Sequence, residues 1–369
     1  MHDELIDAAW LASLKPGLML HVDPALNGEP DPALLGEPIT PISAFFVRNN
    51  GTLPSVGDIE QWRLRIDGEV NQPKNWSIAE LQRDFETVTV TSVLECAGNG
   101  RSLFKPVTEG VPWRLGAVGC ARWTGVRLRD VLLASGAKAS AVYTGHYAPD
   151  SQIADPSRPA LSRGLPIAKA LSPETLVAFG MNGEPLPLLH GGPLRIVAPG
   201  YPGSAWQKWL YRVSLRPHVH DGEKMLGSNY RLPIRPAVPG EPIAESDFAV
   251  ITDMKVKALI TSPSHGFIAA LGRSVTVRGF AWSGSIEVAA VRVSGDGGVN
   301  WIEAELGQAE GTYAWRPFAV VVPANQAGAM RIVAQARDVA GHEQPLNAAL
   351  WNPRGYCNNQ AQTVEGEVR

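Results

Sequence analysis

The sequence contains little cysteine, little net charge and no long apolar run. Only three of its 369 residues are cysteines. Cys96, Cys120 and Cys357 lie far apart and form no C-x-x-C pair, so we expect neither a disulfide framework nor a zinc ribbon. The C-x-x-C-H motif is missing as well, and we expect no haem in this chain. The net charge of -3 is unlike that of a nucleic-acid-binding protein. No apolar stretch reaches the roughly 18 residues that span a membrane, so we expect no membrane partner.

The first residues lack the pattern of a secretory signal peptide, which needs a basic start and a continuous apolar stretch. Asp3, Glu4 and Asp7 precede Lys15, the first lysine or arginine of the chain. We therefore expect a cytoplasmic protein or an exported one whose signal is absent from this sequence. The region 1–40 is rich in proline and glycine and weakly patterned, and we predict that it is an extended arm lying on the body.

What is present is the composition of a globular protein. Hydrophobic residues make up 44% of the chain and charged residues 19%, which is enough apolar material for buried cores. The length predicts two or three domains. The 37 glycines and 30 prolines indicate many turns, and many turns indicate many short strands.

In the region 41–245, short strands and short helices alternate without a regular βαβ period, which predicts an α+β fold. The clearest local signals are a strand at 62–68, a helix at 78–84 with the capping box of Ser77 and Glu80, a buried strand at 88–94, a helix at 128–135 before Gly136, and a hairpin turn at 182–183.

The composition changes between residues 231 and 248, where four prolines recur every third residue and predict a stiff linker. The pattern after this linker is purely β, with strands predicted at 274–282, 286–294, 300–306, 312–322 and 329–338. Strands at this spacing predict an immunoglobulin-like sandwich over residues 250–369, although it has no cysteine pair between its sheets.

Cys96 lies where the predicted buried strand meets a Gly-Asn-Gly turn, and the ends of strands commonly carry reactive groups. The thiol could simply pack in the core. It could also be a nucleophile activated by His190, whose H-G-G stretch resembles an oxyanion-hole loop. The third possibility is a thiolate that binds a metal, which would need a cofactor to complete the coordination.

Three arginines are the second chemical clue. Arg48, Arg101 and Arg354 are each flanked by residues that are typical of buried or tightly turned backbone. Each arginine could be structural, stacked on an aromatic ring or paired with a carboxylate. Together they could instead form a positive pocket for a small oxyanion, which guanidinium groups bind through paired hydrogen bonds.

Several motifs in register resemble the sulfite oxidase family. L-E-C-A-G-N-G-R at 94–101 is followed by V-P-W at 111–113, and F-V-R-N-N at 46–50 is similar to the family's F-V-R-N-H. The family's H-G-x-P-x-R matches H-G-G-P-L-R at 190–195. The residues Lys208-Trp209, Tyr230 and the stretch W-N-P-R-G at 351–355 complete the series, and 277–303 resembles the family's dimerisation domain.

The resemblance implies one molybdopterin cofactor per subunit, with Cys96 as the protein ligand to molybdenum. It implies that the sulfite pocket is lined by Arg48, Arg101, Trp113, Tyr230 and Arg354. It also implies that the pterin and its phosphate are held by Phe46, Arg48, Asn50, His190, Arg195, Ser204, Trp206, Gln207 and Lys208. The implied reaction is oxidation of sulfite to sulfate, with the two electrons leaving one at a time.

The chain departs from the family pattern at three places. Asn50 takes the place of the usual histidine, Gly100 stands where the animal enzymes have another arginine, and 145–147 reads G-H-Y where they have a pterin-contacting aspartate. The resemblance does not decide whether His146 or Tyr147, if either, substitutes for that aspartate.

The resemblance favours a bacterial periplasmic sulfite dehydrogenase, a homodimer that passes electrons to a separate c-type cytochrome. The C-terminal E-V-R differs from the S-K-L peroxisomal signal, which argues against the oxygen-using plant type. The alternatives are the molybdenum domain of a nitrate reductase, a methionine-sulfoxide reductase subunit, a cysteine-nucleophile hydrolase built on Cys96 and His190, and a binding module.

Overall fold

The computed structural model describes residues 7–22 and 25–369, so the predicted acidic start at Asp3 and Glu4 lies outside the described residues. The described chain is mostly β with few helices. Its α-helices are α1 (Ala8–Leu14), α2 (Ile78–Asp84), α3 (Leu128–Ala134) and α4 (Ile167–Ala170). The α+β prediction therefore holds only in a coarser form, because no α-helix in the described ranges exceeds two turns.

Fourteen strands precede the C-terminal sandwich within the described residues. They are β1 (Leu18–Val22), β2 (Leu26–Pro30), β3 (Arg63–Gly68), β4 (Lys74–Ser77), β5 (Thr87–Glu95), β6 (Val118–Arg127), β7 (Tyr143–Tyr147), β8 (Gly164–Pro166), β9 (Leu176–Met181), β10 (Glu184–Pro185), β11 (Arg195–Val197), β12 (Arg212–Arg216), β13 (Arg231–Pro233) and β14 (Phe248–Val250).

The described part of the N-terminal region is more ordered than the predicted extended arm. It contains α1 and an antiparallel hairpin of β1 and β2. The hairpin is held by buried polar side chains. The Glu29 carboxylate accepts the backbone N–H groups of Arg114 and Gly116, and Asn27 Oδ1 accepts from the N–H of Asn49. The sequence pattern did not predict the hairpin because the hydrogen-bond partners that stabilise it lie in distant parts of the chain.

Two sheets enclose the first apolar core. One has the order β10-β9-β6-β5, with β11 also paired to β9, and the other has the order β4-β3-β12-β7-β8. Buried side chains of β3, β6, β9 and β12 share this core with Leu81 of α2 and Val131 of α3. The local predictions hold here: Ser77 and Glu80 form the capping box of α2, and Gly136 follows α3 with a φ of 68°, in the left-handed region that favours glycine.

The predicted linker is bounded by a short antiparallel pair, because β13 and β14 hydrogen-bond at its two ends. The strands after it are β15 (Lys257–Ser262), β16 (Phe267–Ala269), β17 (Arg273–Trp282), β18 (Val288–Ser294), β19 (Ile302–Glu303), β20 (Glu305–Leu306), β21 (Arg316–Ala324), β22 (Gly328–Asp338) and β23 (Gln362–Val368). The strand predicted at 300–306 is therefore two short strands, and the one predicted at 312–322 begins later.

These strands form two sheets, with the orders β15-β17-β21-β20 and β16-β23-β22-β18-β19. Apolar side chains from both sheets share one buried core, including Val277, Phe318 and Ile332. A two-layer sandwich is thus observed, and its immunoglobulin type stays a prediction. A smaller apolar cluster joins Val93 and Cys120 to Trp282 and Trp315, so the sandwich packs directly on β5 and β6. No helix within the described ranges has both the length and the hydropathy needed to cross a membrane.

Candidate functional site

The first sheet system opens into a cavity whose mouth is open to solvent. We call it the Cys96 cavity. The residues predicted from sequence that line it are Phe46, Arg48, Asn50, Cys96, His190, Arg195, Ser204, Trp206, Gln207, Lys208 and Tyr230. Other lining residues are Leu94, Asp150, Leu161, Leu189, Gly203 and Trp209.

Cys96 follows directly after β5, where the buried end of that strand delivers it to the cavity. Its N–H donates to Ala117 O and its C=O accepts from Asn99 N, each at 2.9 Å. The thiol sulfur accepts a hydrogen bond from the N–H of Gly98 at 3.4 Å. The turn is thus fixed on both sides, and the side chain that it presents is 8% exposed.

The glycine of this turn allows a close approach that a larger residue would block. A Cβ atom at Gly98 would lie 2.5 Å from Arg101 Nη2. The Arg101 guanidinium therefore packs against the turn that carries Cys96. Burial lowers the pKa of Arg101, and the attraction of the Cys96 and Tyr356 groups opposes that effect.

The cavity is also lined by two buried basic side chains, Arg195 and Lys208, that form no salt bridge among the described residues. Burial lowers the pKa of Lys208 well below its usual value, and the nearby Asp150 carboxylate opposes that effect. Arg195 donates from Nη1 to His190 O at 2.6 Å and from Nη2 to Trp206 O at 3.1 Å. Burial lowers its pKa to about 9, so the guanidinium stays charged at neutral pH. Lys208 donates from Nζ to Asn49 Oδ1 at 2.5 Å and to Leu189 O at 3.1 Å.

The amide oxygen of Asn50 is the acceptor for three donors. They are Arg48 Nη2 at 3.0 Å, Lys224 Nζ at 3.0 Å and the Tyr230 hydroxyl at 3.2 Å. Arg48 is fixed further by Asn27, whose Oδ1 accepts from Arg48 Nη1 at 3.1 Å. One amide therefore holds two basic side chains and a phenol, of which Arg48 and Tyr230 line the cavity and Lys224 does not.

Some buried polar atoms at the cavity have no hydrogen-bond partner in the described chain. They are Asp150 Oδ1, His190 Nε2 and Ser204 Oγ. Buried polar groups are nearly always satisfied in native proteins, so orphaned atoms that face one cavity indicate a polar ligand. Burial also holds the pKa of His190 well below its usual range, so its ring is neutral.

These properties fit a molybdopterin. Its phosphate needs buried cations such as Arg195 and Lys208, its pterin ring carries donors and acceptors for orphaned atoms, and its metal needs a soft ligand such as the Cys96 thiolate. No group of three or more His, Cys, Asp or Glu residues able to hold a metal occurs in the described ranges.

Three predicted substrate residues do not line the cavity. Trp113 is fully buried and packs edge-on against Phe46, with ring centroids 6.4 Å apart. Arg101 donates from Nη1 to Val111 O at 2.7 Å. Arg354 donates to Ser228 Oγ at 2.9 Å and pairs with Glu109 at 3.3 Å. Of the three, Arg101 packs against the Cys96 turn, and its Nε donates to the main-chain oxygen of Arg354.

Sequence reasoning missed Asp150 as a cavity residue. Neither His146 nor Tyr147 lines the cavity, whereas Asp150, three residues after Tyr147, does. His146 bonds through Nε2 to Thr144 Oγ1 at 2.9 Å, and the Tyr147 ring lies 4.6 Å from the Arg212 guanidinium. Burial raises the pKa of Asp150 to about 6. The only available signal was a carboxylate shortly after the family's aspartate position.

The hydrolase alternative finds no support in the geometry. Cys96 and His190 line the same cavity, but no hydrogen bond joins them in the described chain.

Burial raises the pKa of Cys120 and of Cys357 to about 12, so both thiols stay neutral and pack in the core as predicted.

Comparisons with known proteins agree with this site. The oxidoreductase molybdopterin binding domain model matches residues 50–224, and the Mo-co oxidoreductase dimerisation domain model matches residues 248–365. Sulfite oxidase of Gallus gallus is 36% identical over 93% of this chain and 76% of its own length. Nitrate reductase [NAD(P)H] of Hordeum vulgare is 29% identical over 97% of this chain and 42% of its own length.

Among solved structures, the sulfane dehydrogenase SoxCD of Paracoccus pantotrophus matches with a TM-score of 0.78 and 27% identity. That match covers 98% of this chain and 90% of the other. A relative of 36% identity over most of both chains and two adjoining domain models support the same conclusion. The chain belongs to the sulfite oxidase family.

Proposed function

We propose that this protein oxidises sulfite to sulfate at a molybdenum cofactor whose protein ligand is the Cys96 thiolate. The observation that carries the proposal is a single thiol fixed at the end of β5, facing a cavity that is also lined by buried basic side chains and by orphaned polar atoms. A thiol of this kind cannot hold a metal alone, and the basic and orphaned polar groups that line the same cavity would bind a cofactor that completes the coordination.

The cofactor would be held by residues at several depths of the Cys96 cavity. Arg195 and Lys208 would bind the phosphate, and Ser204, His190 and Asp150 would satisfy the pterin edges through their orphaned atoms. The chemistry that the cofactor supplies when bound is a two-electron oxidation with transfer of an oxygen atom to sulfite. Phe46, Trp206 and Gln207 would line its remaining surface.

The sulfite anion would be bound next to Cys96 by the group around Asn50. Arg48 would supply positive charge and Tyr230 a hydroxyl donor from the cavity lining, and Lys224 would add charge from behind Asn50. These donors are already oriented by hydrogen bonds, so they need little rearrangement to hold an anion at attack distance. Arg101, Trp113 and Arg354 would act from the next layer, through charge and by holding the loops.

The same proposal includes the organisation of the whole protein. We place the N-terminal arm at 1–40, the cofactor-binding domain at 41–245 and the dimerisation sandwich at 250–369, in a homodimer. Separate apolar cores in the two regions and the dimerisation domain match support this division. Electrons would pass one at a time to a separate c-type cytochrome in the periplasm, with a cytoplasmic location as the alternative.

Metal analysis and substrate assays test the proposal together. We expect about one molybdenum per chain, sulfite-dependent reduction of a c-type cytochrome, and no comparable turnover with nitrate, a methionine sulfoxide or a sulfane. The barley nitrate reductase and the sulfane dehydrogenase SoxCD make nitrate and sulfane the most informative rivals. A protein purified with its cofactor that reduces nitrate but ignores sulfite would overturn the proposal.

A further inference from the structure

The residue immediately before Cys96 is bound by the C-terminal sandwich. Glu95 ends β5, and its side chain is 1% exposed. Its Oε1 accepts from Lys257 Nζ at 2.5 Å, and its Oε2 accepts from Trp282 Nε1 at 2.8 Å. Lys257 begins β15 and Trp282 ends β17, so both donors come from one sheet of the sandwich.

The same carboxylate also fixes the turn that carries Cys96. Asn99 Nδ2 donates to Glu95 Oε1 at 3.0 Å, and Asn99 Oδ1 accepts from the N–H of Ala117 at 3.2 Å. Lys257 Nζ also reaches the main-chain oxygen of Asn99 at 3.4 Å. The Glu95 carboxylate therefore links β15 and β17 of the sandwich to Asn99, at the end of the turn that carries Cys96.

A second contact from the C-terminal part of the chain reaches Ala97, the residue immediately after Cys96. The N–H of Cys357 donates to the main-chain oxygen of Ala97 at 2.7 Å, and Cys357 has a φ of 53°. A non-glycine residue in this left-handed region carries strain that surrounding contacts must offset. Residues after 250 thus hold the residue before Cys96 and the residue after it.

We propose that Glu95, Lys257 and Trp282 are positioning residues through which the sandwich sets the orientation and protection of the Cys96 thiol. This inference rests on the proposed function only for the thiol's role as a metal ligand. The protection of the thiol does not depend on a bound metal. The physical argument is that a buried ion pair is costly to break from one side, because the remaining charge is left without a partner. Loss of either partner should therefore loosen the turn locally.

The reactivity of the Cys96 thiol in the cofactor-free protein measures this directly. Lys257→Met should raise the rate of reaction with a maleimide roughly tenfold or more, because local opening exposes the thiol. Cys120 and Cys357 are 0% and 2% exposed, so we expect them to react slowly with the maleimide. The Cys96→Ser variant measures their reaction alone, which is then subtracted. Lys255→Met, two residues away and without a hydrogen bond or ion pair in the described chain, is the matched control.

The double variant Glu95→Gln/Lys257→Met removes both charges and should return the maleimide reaction rate to within about threefold of the wild-type rate.

In the holoenzyme, the electron paramagnetic resonance spectrum of the one-electron-reduced metal should change in Lys257→Met and not in Lys255→Met. An unchanged maleimide rate in Lys257→Met would refute the positioning role. Should that variant fail to fold, Trp282→Phe removes one donor while keeping a ring, and the same comparison decides. Maleimide rates are independent of molybdenum content, so they separate this inference from the proposed function.

Discussion

Arg101 donates from Nε to the main-chain oxygen of Arg354 at 2.9 Å, so the two arginines share one hydrogen bond across 253 positions of sequence. They are nonetheless unequal. Arg101 is 7% exposed and its guanidinium also holds Val111 O. The Arg354 side chain is 37% exposed and lies on Ser228 and on Glu109, which is itself 86% exposed.

This inequality predicts different consequences of replacing each arginine. Arg101→Gln should raise the Michaelis constant for sulfite roughly tenfold, which corresponds to about 1.4 kcal/mol, because the positive charge that packs against the Cys96 turn is lost. It should also lower the free energy of unfolding, since two carbonyl groups lose their donor. Arg354→Gln keeps the shared main-chain acceptor, so its effect on both quantities should be smaller.

Steady-state kinetics and urea unfolding of fully loaded enzyme check this order, with the exposed Arg83→Gln as the control. Equal Michaelis constants for wild type and Arg101→Gln would remove Arg101 from sulfite binding.

Cys96→Ser should keep the fold but lose sulfite oxidation. The hydroxyl is a harder and less electron-donating ligand than a thiolate, so the redox balance of the metal would shift. The substitution removes one sulfur atom from a site that is already open to a cavity, so the thermal midpoint should change little. Turnover near the wild-type value would contradict the ligand assignment. Cys120→Ala, at a buried thiol away from the cavity, should keep turnover at a lower stability.

The fold was predictable where local signals decide the structure. The capping box of Ser77 and Glu80 is satisfied by atoms within one turn, so sequence alone identified α2. The hairpin of β1 and β2 was missed because Asn27 and Glu29 are buried by partners at Asn49, Arg114 and Gly116. Contacts at such separations leave no period in the sequence.

The site was predictable where a motif supplies the residue. Motif positions such as Phe46, His190 and Lys208 all face the cavity. Asp150 lies outside any motif, and its role follows from burial and an orphaned oxygen. Lys224 is likewise invisible in sequence, because its partner Asn50 is 174 residues away.

Replacing Asn50 should release the charges that it gathers. Asn50→Leu removes the acceptor for Arg48, Lys224 and Tyr230, and unsatisfied donors at a part-buried site cost about 1–3 kcal/mol. We expect this loss in the free energy of unfolding of the cofactor-free protein, measured with urea. The double variant Asn50→Leu/Lys224→Met removes one of the facing cations and should recover part of it. Strict additivity of the two substitutions would show that the residues do not interact.

Two buried histidines predict loss of stability in mild acid. Burial lowers the pKa of His146 to about 3 and that of His220 to about 4, with nearby Arg163 and Arg216 acting in the same direction. His220 Nδ1 accepts from Arg216 Nη1 at 2.9 Å, which only a neutral ring can do. Asp221, the opposing carboxylate, is too weak to reverse this.

Because the folded pKa values lie below the unfolded value, the stabilisation is complete above about pH 6.5 and is lost as pH falls through the folded values, which are about 4 for His220 and about 3 for His146. The thermal midpoint of the wild type should fall as pH falls across that window. The fall per pH unit should be smaller in His146→Gln, and it should equal that of the wild type in the control His218→Gln, at an exposed histidine. Identical slopes in wild type and His146→Gln would exclude His146 as a source of the acid sensitivity.

The last prediction is that the sandwich forms a homodimer. Light scattering at micromolar concentration should give about twice the chain mass of 39.6 kDa. A stable dimer of this kind buries on the order of 1,200–2,000 Å² or more around an apolar centre, and two-fold symmetry makes the patch self-complementary. Both sheets expose apolar side chains, such as Val321 (57%) on β21 and Ile268 (65%) on β16. Two variants, Val321→Arg and Ile268→Arg, therefore show which sheet of the sandwich forms the interface. The substitution at the interface should make the measured mass depend on protein concentration, and the other substitution should not. A mass near 40 kDa for the wild type at every concentration would reject the dimer, while the assignment of the Cys96 cavity would still stand.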